Sequence, residues 1–145
     1  MRALIQRVQS ARVQVAGQTV GEIGPGILTL LGVGQGDSEK ELEWIISKIL
    51  NLRIFEDSSG KMNLSLLETH GEHLIVSQFT LYGDTEKGNR PGFSQAAAPA
   101  DAQRLYDRAI ELSTAKGVKT AGGKFQAHME VSLLNDGPVT LWIES

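Results

Sequence analysis

Polar and apolar residues alternate from the start of the chain. Leu4, Gln6 and Val8 share one phase and Ala3, Ile5 and Arg7 the other, the period-two pattern of a strand over residues 1–8. Val13 and Val15 repeat it over residues 11–15, and Gly17-Gln18 reads as a hairpin turn. Ile27–Leu31 is almost wholly apolar, which predicts a strand covered on both faces. The period then changes. In GDSEKELEWIISKIL, residues Leu42, Ile45, Ile46, Ile49 and Leu50 recur at helical spacing. Ser38, with Glu41 three places on, supplies a capping box for that helix. An apolar run, Leu52–Phe55, and the turn EDSSGK follow, and His73–Gln78 predicts another buried strand. Pro99 opens a second helix at a favoured first-turn position. Its apolar stripe is Ala102, Leu105, Tyr106, Ala109, Ile110 and Leu112, and Gly117 fits its end. A loop with Gly122-Gly123 leads to two last strands, Val131–Leu134 and Val139–Ile143, on either side of Asn135-Asp136-Gly137-Pro138.

This order predicts a mixed sheet with helices packed on it, in one domain over residues 1–145. A chain of 145 residues buries a real core without staples. The absence of cysteine excludes disulfides, thiolate metal sites and a cysteine nucleophile. A net charge of −3 argues against a general nucleic-acid binder, so any RNA contact must use a local patch and DNA is not an expected partner. No stretch approaches the ~18 apolar residues of a membrane span. The opening MRALIQRVQSARVQV lacks the apolar core of a signal peptide. The expected location is therefore cytoplasmic. His70, His73 and His128 are scattered and do not pair at metal-ligand spacing.

Several stretches carry candidate chemistry. LLGVGQGDSEKELEW resembles a dinucleotide-binding turn, with Gly32 and Gly34 in place, but Asp37 stands where the third glycine belongs. A strand-to-helix turn explains it better. VSQFTLYGD puts Ser77, Gln78, Thr80 and Tyr82 around a strand end, where hydroxyls and an amide could serve as nucleophile and oxyanion donor. From spacing alone, backbone hydrogen bonds at the strand end account better for Ser77 and Thr80. The long polar loop GDTEKGNRPGFSQAAAP holds Lys87, Arg90 and Phe93, which could bind a phosphate and stack on a base, although a solvated loop is the more common case. Lys61, after EDSSG, reads as a solvated lysine. In NDGPVT, a glycine before proline reaches backbone angles closed to other residues. Such a turn could point its carbonyls outward as a selector made of backbone, but from these six residues alone a plain turn with a trans bond explains it better.

Taken together, SQFTLY at 77–82 and NDGPVT at 135–140 resemble the two signature motifs of the D-aminoacyl-tRNA deacylases. MRALIQRV, GEIGPGILTLLGV, RIFEDSSGKMN, RPGFS and VSLLNDGPVTLWI are similar to that family in the same order, across essentially the whole chain. The resemblance implies a compact, β-rich α/β domain in β/β/α layers, with two main helices packed on one side. It implies hydrolysis of the ester between a D-amino acid, or mischarged glycine, and the 3′-terminal adenosine of tRNA. It implies no metal or other cofactor, and a homodimer with each site at the subunit interface. Gly137 and Pro138, joined by a cis bond, would be the chiral selector inserted into the partner's site. Ser77, Gln78, Phe79 and Thr80 would line the reacting ester, with Thr80 as nucleophile or with the RNA's own 2′-hydroxyl driving the chemistry. Lys87, Arg90 and Phe93 are the candidate tRNA contacts.

Overall fold

The computed structural model describes all 145 residues. The elements run β1 (Arg2–Val15), β2 (Gln18–Ile23), β3 (Gly26–Gly32), α1 (Glu39–Asn51), β4 (Phe55–Glu56), β5 (Met62–Leu64), α2 (Leu66–Thr69), β6 (Glu72–Ser77), a 3₁₀ turn (Phe79–Tyr82), α3 (Pro99–Ala115), β7 (Thr120–Gly122) and β8 (Glu130–Glu144). Six strands form one mixed sheet in the order β2-β1-β3-β6-β7, with β8 on the free side of β1. β4 and β5 make a separate small hairpin. β1, β2 and β3 are antiparallel, whereas β3, β6 and β7 run parallel. The parallel pairs are possible because α1 and α3 lie in the crossovers that join them.

The sheet curls until β2 faces β7. A Cβ on Gly21 would collide with the carbonyl of Gly122, so glycine permits the near-closure. Two cores result. Val8, Ala11, Val13, Ile23, Leu28, Leu74 and Val76 fill the inside of the curl. Ala3, Ile5, Ile27, Leu31 and Ile75 face outward, against Leu42, Ile45 and Ile49 of α1 and Leu105 and Ala109 of α3. The β/β/α layering is therefore one sheet folded over, with a helical layer on one side. Leu42, Ile45, Ile46, Ile49 and Leu50 of α1 are all buried, Trp44 faces solvent, and the Ser38–Glu41 capping box is formed. No helix is long and apolar enough to cross a membrane.

Four sequence expectations change. Residues 1–8 and 11–15 belong to one strand, because β8 pairs along the whole of β1 and bridges their junction. The first turn is Ala16-Gly17, both at positive φ (49° and 78°), one residue earlier than expected. The sequence reading misses α2, although Ser65 and Glu68 carry the same capping-box spacing as α1 and the box is formed. The two last strands are one strand. Val131–Leu134 and Val139–Ile143 do not pair with each other but both pair antiparallel with β1, which is long enough to hold them end to end. The residues between them form a bulge.

The Gly32–Asp37 turn binds its own carboxylate. Asp37 Oδ2 accepts the Gly34 N–H at 2.6 Å, and Oδ1 accepts the Met1 ammonium at 2.8 Å. The Gln35 N–H goes to the Gln95 carbonyl at 2.9 Å. Those amides are not free to cradle a phosphate, which argues against the dinucleotide reading.

His73 is buried between Thr29 Oγ1 (2.8 Å) and Ser113 Oγ (2.9 Å). Burial lowers its pKa to about 3 from the usual 6.5. The unfolded chain thus binds a proton that the folded one refuses between those values. Its contribution to stability is complete above pH 6.5 and is lost as pH falls toward 3. Unfolding free energy should drop by about 2 kcal/mol from this group between pH 7 and pH 5. Denaturant titrations at the two pH values, beside a His73→Gln variant in which that slope flattens, measure it.

Candidate active site

A groove of about 760 Å³ opens beyond the carboxyl ends of the parallel strands β3, β6 and β7, the usual place for a site in such a sheet. One wall is Ser77, Gln78 and Phe79, where β6 ends. The opposite wall is Phe125–Met129, the chain between β7 and β8. Val33, Val76, Ala96, Ala97 and Ala102 line the rest and keep it largely apolar.

β6 stops because Gln78 turns away. Its N–H still reaches the Leu31 carbonyl at 2.8 Å, but its φ and ψ are −142° and 77°, and the chain enters the 3₁₀ turn. Leu81 N–H bonds to Gln78 O and Gly83 N–H to Thr80 O. The N–H groups of Phe79 and Thr80, at the head of this turn, have no backbone acceptor, as helix geometry requires. The Gln78 side-chain amide donates to the Thr80 hydroxyl. No histidine or carboxylate is bonded to Thr80 or Ser77, so neither hydroxyl has a base. Phe79 is 54% exposed and meets Phe93 edge-on, ring centres 4.9 Å apart. Arg2 braces the far end of the turn, donating to the Leu81 carbonyl at 3.1 Å and lying 4.4 Å over the Tyr82 ring. Burial, helped by the Asp37 carboxylate, pushes the Tyr82 phenol up to about 12.

The long loop of residues 83–98 is tied at its base. Asp84 and Gly92 exchange two backbone hydrogen bonds of 2.8 Å, and Ala97 N–H reaches the Val33 carbonyl at 3.0 Å. Phe93 thereby sits beside Phe79. Lys87 and Arg90 lie in the exposed tip, unpaired, and do not line the groove. Lys61 is exposed beside the β4–β5 hairpin, away from the groove.

Gly137 and Pro138 lie in the bulge of β8. Gln6 pairs with Thr140 and Val8 with Asn135, so only Arg7 stands opposite four residues. Asn135 Nδ2 donates to Thr140 Oγ1 at 2.9 Å and closes the base of the bulge. Arg7 fills it from behind. Its side chain is buried, with Nη1 donating to the Ile54 carbonyl at 2.5 Å and Nε to the Asp136 carbonyl at 3.3 Å. Nε also lies 3.1 Å from Asp136 Oδ2. The Gly137-Pro138 bond is cis, Gly137 has φ of 118°, and both residues are exposed. A Cβ on Gly137 would stand 3.0 Å from Arg7 Nη2 and 3.0 Å from Val139 Cγ2. Neither residue lines the groove of its own chain.

The structure thus joins Ser77, Gln78 and Phe79 in one wall, with Thr80 just outside it bonded to Gln78 and Phe93 against Phe79, and leaves Lys87, Arg90, Gly137 and Pro138 elsewhere. Sequence reasoning misses Arg7 and the Phe125–Met129 wall. Arg7 had a signal, a charge on the buried phase of a strand with Ala3 and Ile5. Phe125–Met129 had none, being an irregular segment without periodicity. No group of three or more His, Cys, Asp or Glu side chains is placed to hold a metal ion.

The chain is 54% identical to a D-aminoacyl-tRNA deacylase of Thermosipho africanus (strain TCF52B), covering 100% of this chain and 97% of that one. It is 57% identical to one of Desulfatibacillum aliphaticivorans, covering 100% and 99%. A solved structure described as c-Myc DNA Unwinding Element Binding Protein superposes with a TM-score of 0.93 at 44% identity, covering 100% and 99%. Another, described as a probable eukaryotic D-amino acid tRNA deacylase, shares the fold with a TM-score of 0.84 at 20% identity, covering 98% and 97%. The model of the family described as D-Tyr-tRNA(Tyr) deacylase matches residues 4–144, and the chain belongs to that family, whose members are hydrolases of ester bonds.

Proposed function

We propose that this chain hydrolyses the ester joining a D-amino acid to the 3′-terminal adenosine of tRNA, as a homodimer with composite sites. Each site combines the groove of one subunit with the Gly137-Pro138 turn of the other. The observation that carries this reading is the placement of that turn: exposed, backed by Arg7, and outside the groove of its own chain. The edge strand that bears it also exposes Leu134 and Trp142, 58% and 49% open to solvent. An uncovered edge with apolar side chains suits a second copy of the chain.

In this reading the carbonyls of Gly137 and Pro138 hold the substrate's α-ammonium and leave no room for an L side chain. A selector built from backbone is blind to side-chain identity. It accepts many D-amino acids, and it also accepts glycine, which has no side chain to clash. The aminoacyl ester is already reactive, so positioning and one oxyanion donor contribute a useful part of the rate, about 10²–10³-fold for the donor. The unpaired N–H groups of Phe79 and Thr80 are the donors. Thr80, bonded only to an amide, is a poor nucleophile. The tRNA's 2′-hydroxyl carries the chemistry instead. Lys87 and Arg90 meet phosphates of the acceptor end, and Phe93 with Phe79 offers rings to a base.

Release of amino acid from D-Tyr-tRNA and L-Tyr-tRNA at matched enzyme concentration tests the reading. Cleavage of the D-ester alone is expected. Equal cleavage of both removes the selector, and cleavage of neither by folded protein removes the activity. Thr80→Ala should keep kcat/KM within about tenfold of wild type, since no general base is lost with it. An acyl-Thr80 adduct trapped by rapid acid quench would contradict the 2′-hydroxyl route.

A further inference from the structure

β6 and β7 run side by side as far as the Ile75–Gly122 pair and then part. β6 continues to Ser77 and is followed by Gln78, while the chain after β7 becomes the opposite wall, so the groove opens where the strands separate. A buried tyrosine stands in that fork. Tyr106 reaches in from α3 and is 2% exposed. Its hydroxyl donates to the Ile75 carbonyl at 2.9 Å and accepts the Gly123 N–H at 2.8 Å. The Gly123 N–H also reaches the Ile75 carbonyl at 3.1 Å, so the phenol closes a small cycle between the two wall segments. The ring lies 6.0 Å from that of Phe125, at 34°. Burial pushes the phenol pKa up to about 12, so it remains a protonated donor at neutral pH.

Ser113 offers a built-in comparison. It sits on the same helix and bonds His73 Nδ1 and Thr120 Oγ1, each at 2.9 Å. Those residues begin the paired stretch of β6 and β7, at the end away from the groove. One buried hydroxyl therefore ties the strands where they start and another where they diverge. Only the second is joined to residues that lead directly into the groove walls.

We infer that Tyr106 is a positioning residue for the aminoacyl-adenosine end of the substrate: without touching it, the hydroxyl sets the spacing of the two groove walls. The inference rests on the deacylase reading above. It differs from a purely structural role in what it affects, which is substrate binding more than the chemical step.

The test compares Tyr106→Phe with Ser113→Ala in steady-state cleavage of D-Tyr-tRNA, with thermal melts of both. A parallel titration uses a non-hydrolysable amide analogue, 3′-deoxy-3′-(D-tyrosylamino)adenosine. Tyr106→Phe keeps the ring and removes one oxygen. It should raise KM and weaken analogue binding about tenfold, the worth of roughly one buried hydrogen bond, with kcat within about twofold of wild type. Ser113→Ala should melt earlier and leave KM unchanged. Unchanged KM in Tyr106→Phe overturns the inference, as does an equal rise in both variants. A Tyr106→Phe chain that does not fold assigns the hydroxyl to stability alone and overturns it too. Wild-type protein that binds the analogue but cleaves no D-ester removes the deacylase reading, and the titration still reads the groove. Wild type that does neither overturns both.

Discussion

A buried guanidinium opposite a bulge is the constraint on which the candidate site depends. Arg7 occupies a core-facing position of β1, where Ala3 and Ile5 are wholly buried and apolar. A charge there is costly unless its donors are met. Its Nη1 reaches the Ile54 carbonyl, and its Nε lies against two further acceptors, the Asp136 carbonyl and the Asp136 carboxylate. Two of these belong to the extra residues of β8. The bulge thus supplies the acceptors that make the buried charge tolerable, and the charge fixes the direction in which Gly137 and Pro138 face. A lysine has neither the fork nor the flatness to make these contacts together. With the guanidinium Nη2 3.0 Å from where a Cβ of Gly137 would lie and φ at 118°, a side chain there would be crowded and its backbone strained.

The two halves of the proposed site are built by different means. The groove is a product of topology. Parallel strands joined through helical crossovers end on one side, and their divergence leaves a cleft lined by Ser77–Phe79 and Phe125–Met129. The selector is a product of register, because β8 has four residues where β1 has one. On the proposed reading, neither half suffices alone: the groove holds the ester and the turn judges its chirality. On that reading, association of two chains is a condition of catalysis.

Much of this was legible in the sequence, and the unread parts share a cause. Helix α1 was readable from Leu42, Ile45, Ile46, Ile49 and Leu50 because one face meets one core. β3 was readable because both its faces are covered. The single strand β8 was not, since local pattern cannot say whether two apolar runs pair with each other or with a third strand. Turn-forming residues at 135–138 signal an interruption equally well for a hairpin and for a bulge. The motif SQFT marked its wall of the groove, but Tyr106 read only as one more apolar position on α3. Its hydroxyl contacts, with Ile75 31 residues before it and Gly123 17 after, exist only once the fold brings them together.

Subunit complementation tests the cross-subunit selector most directly. One chain carries Ala102→Trp, which fills the groove, and the other carries Gly137→Ala, which spoils the turn. Each homodimer should be inactive on D-Tyr-tRNA. Refolding the two together should restore about a quarter of wild-type activity, because random pairing gives half mixed dimers with one intact site in each. A mixture as inactive as its parents would contradict the account and return the selector to the groove of its own chain.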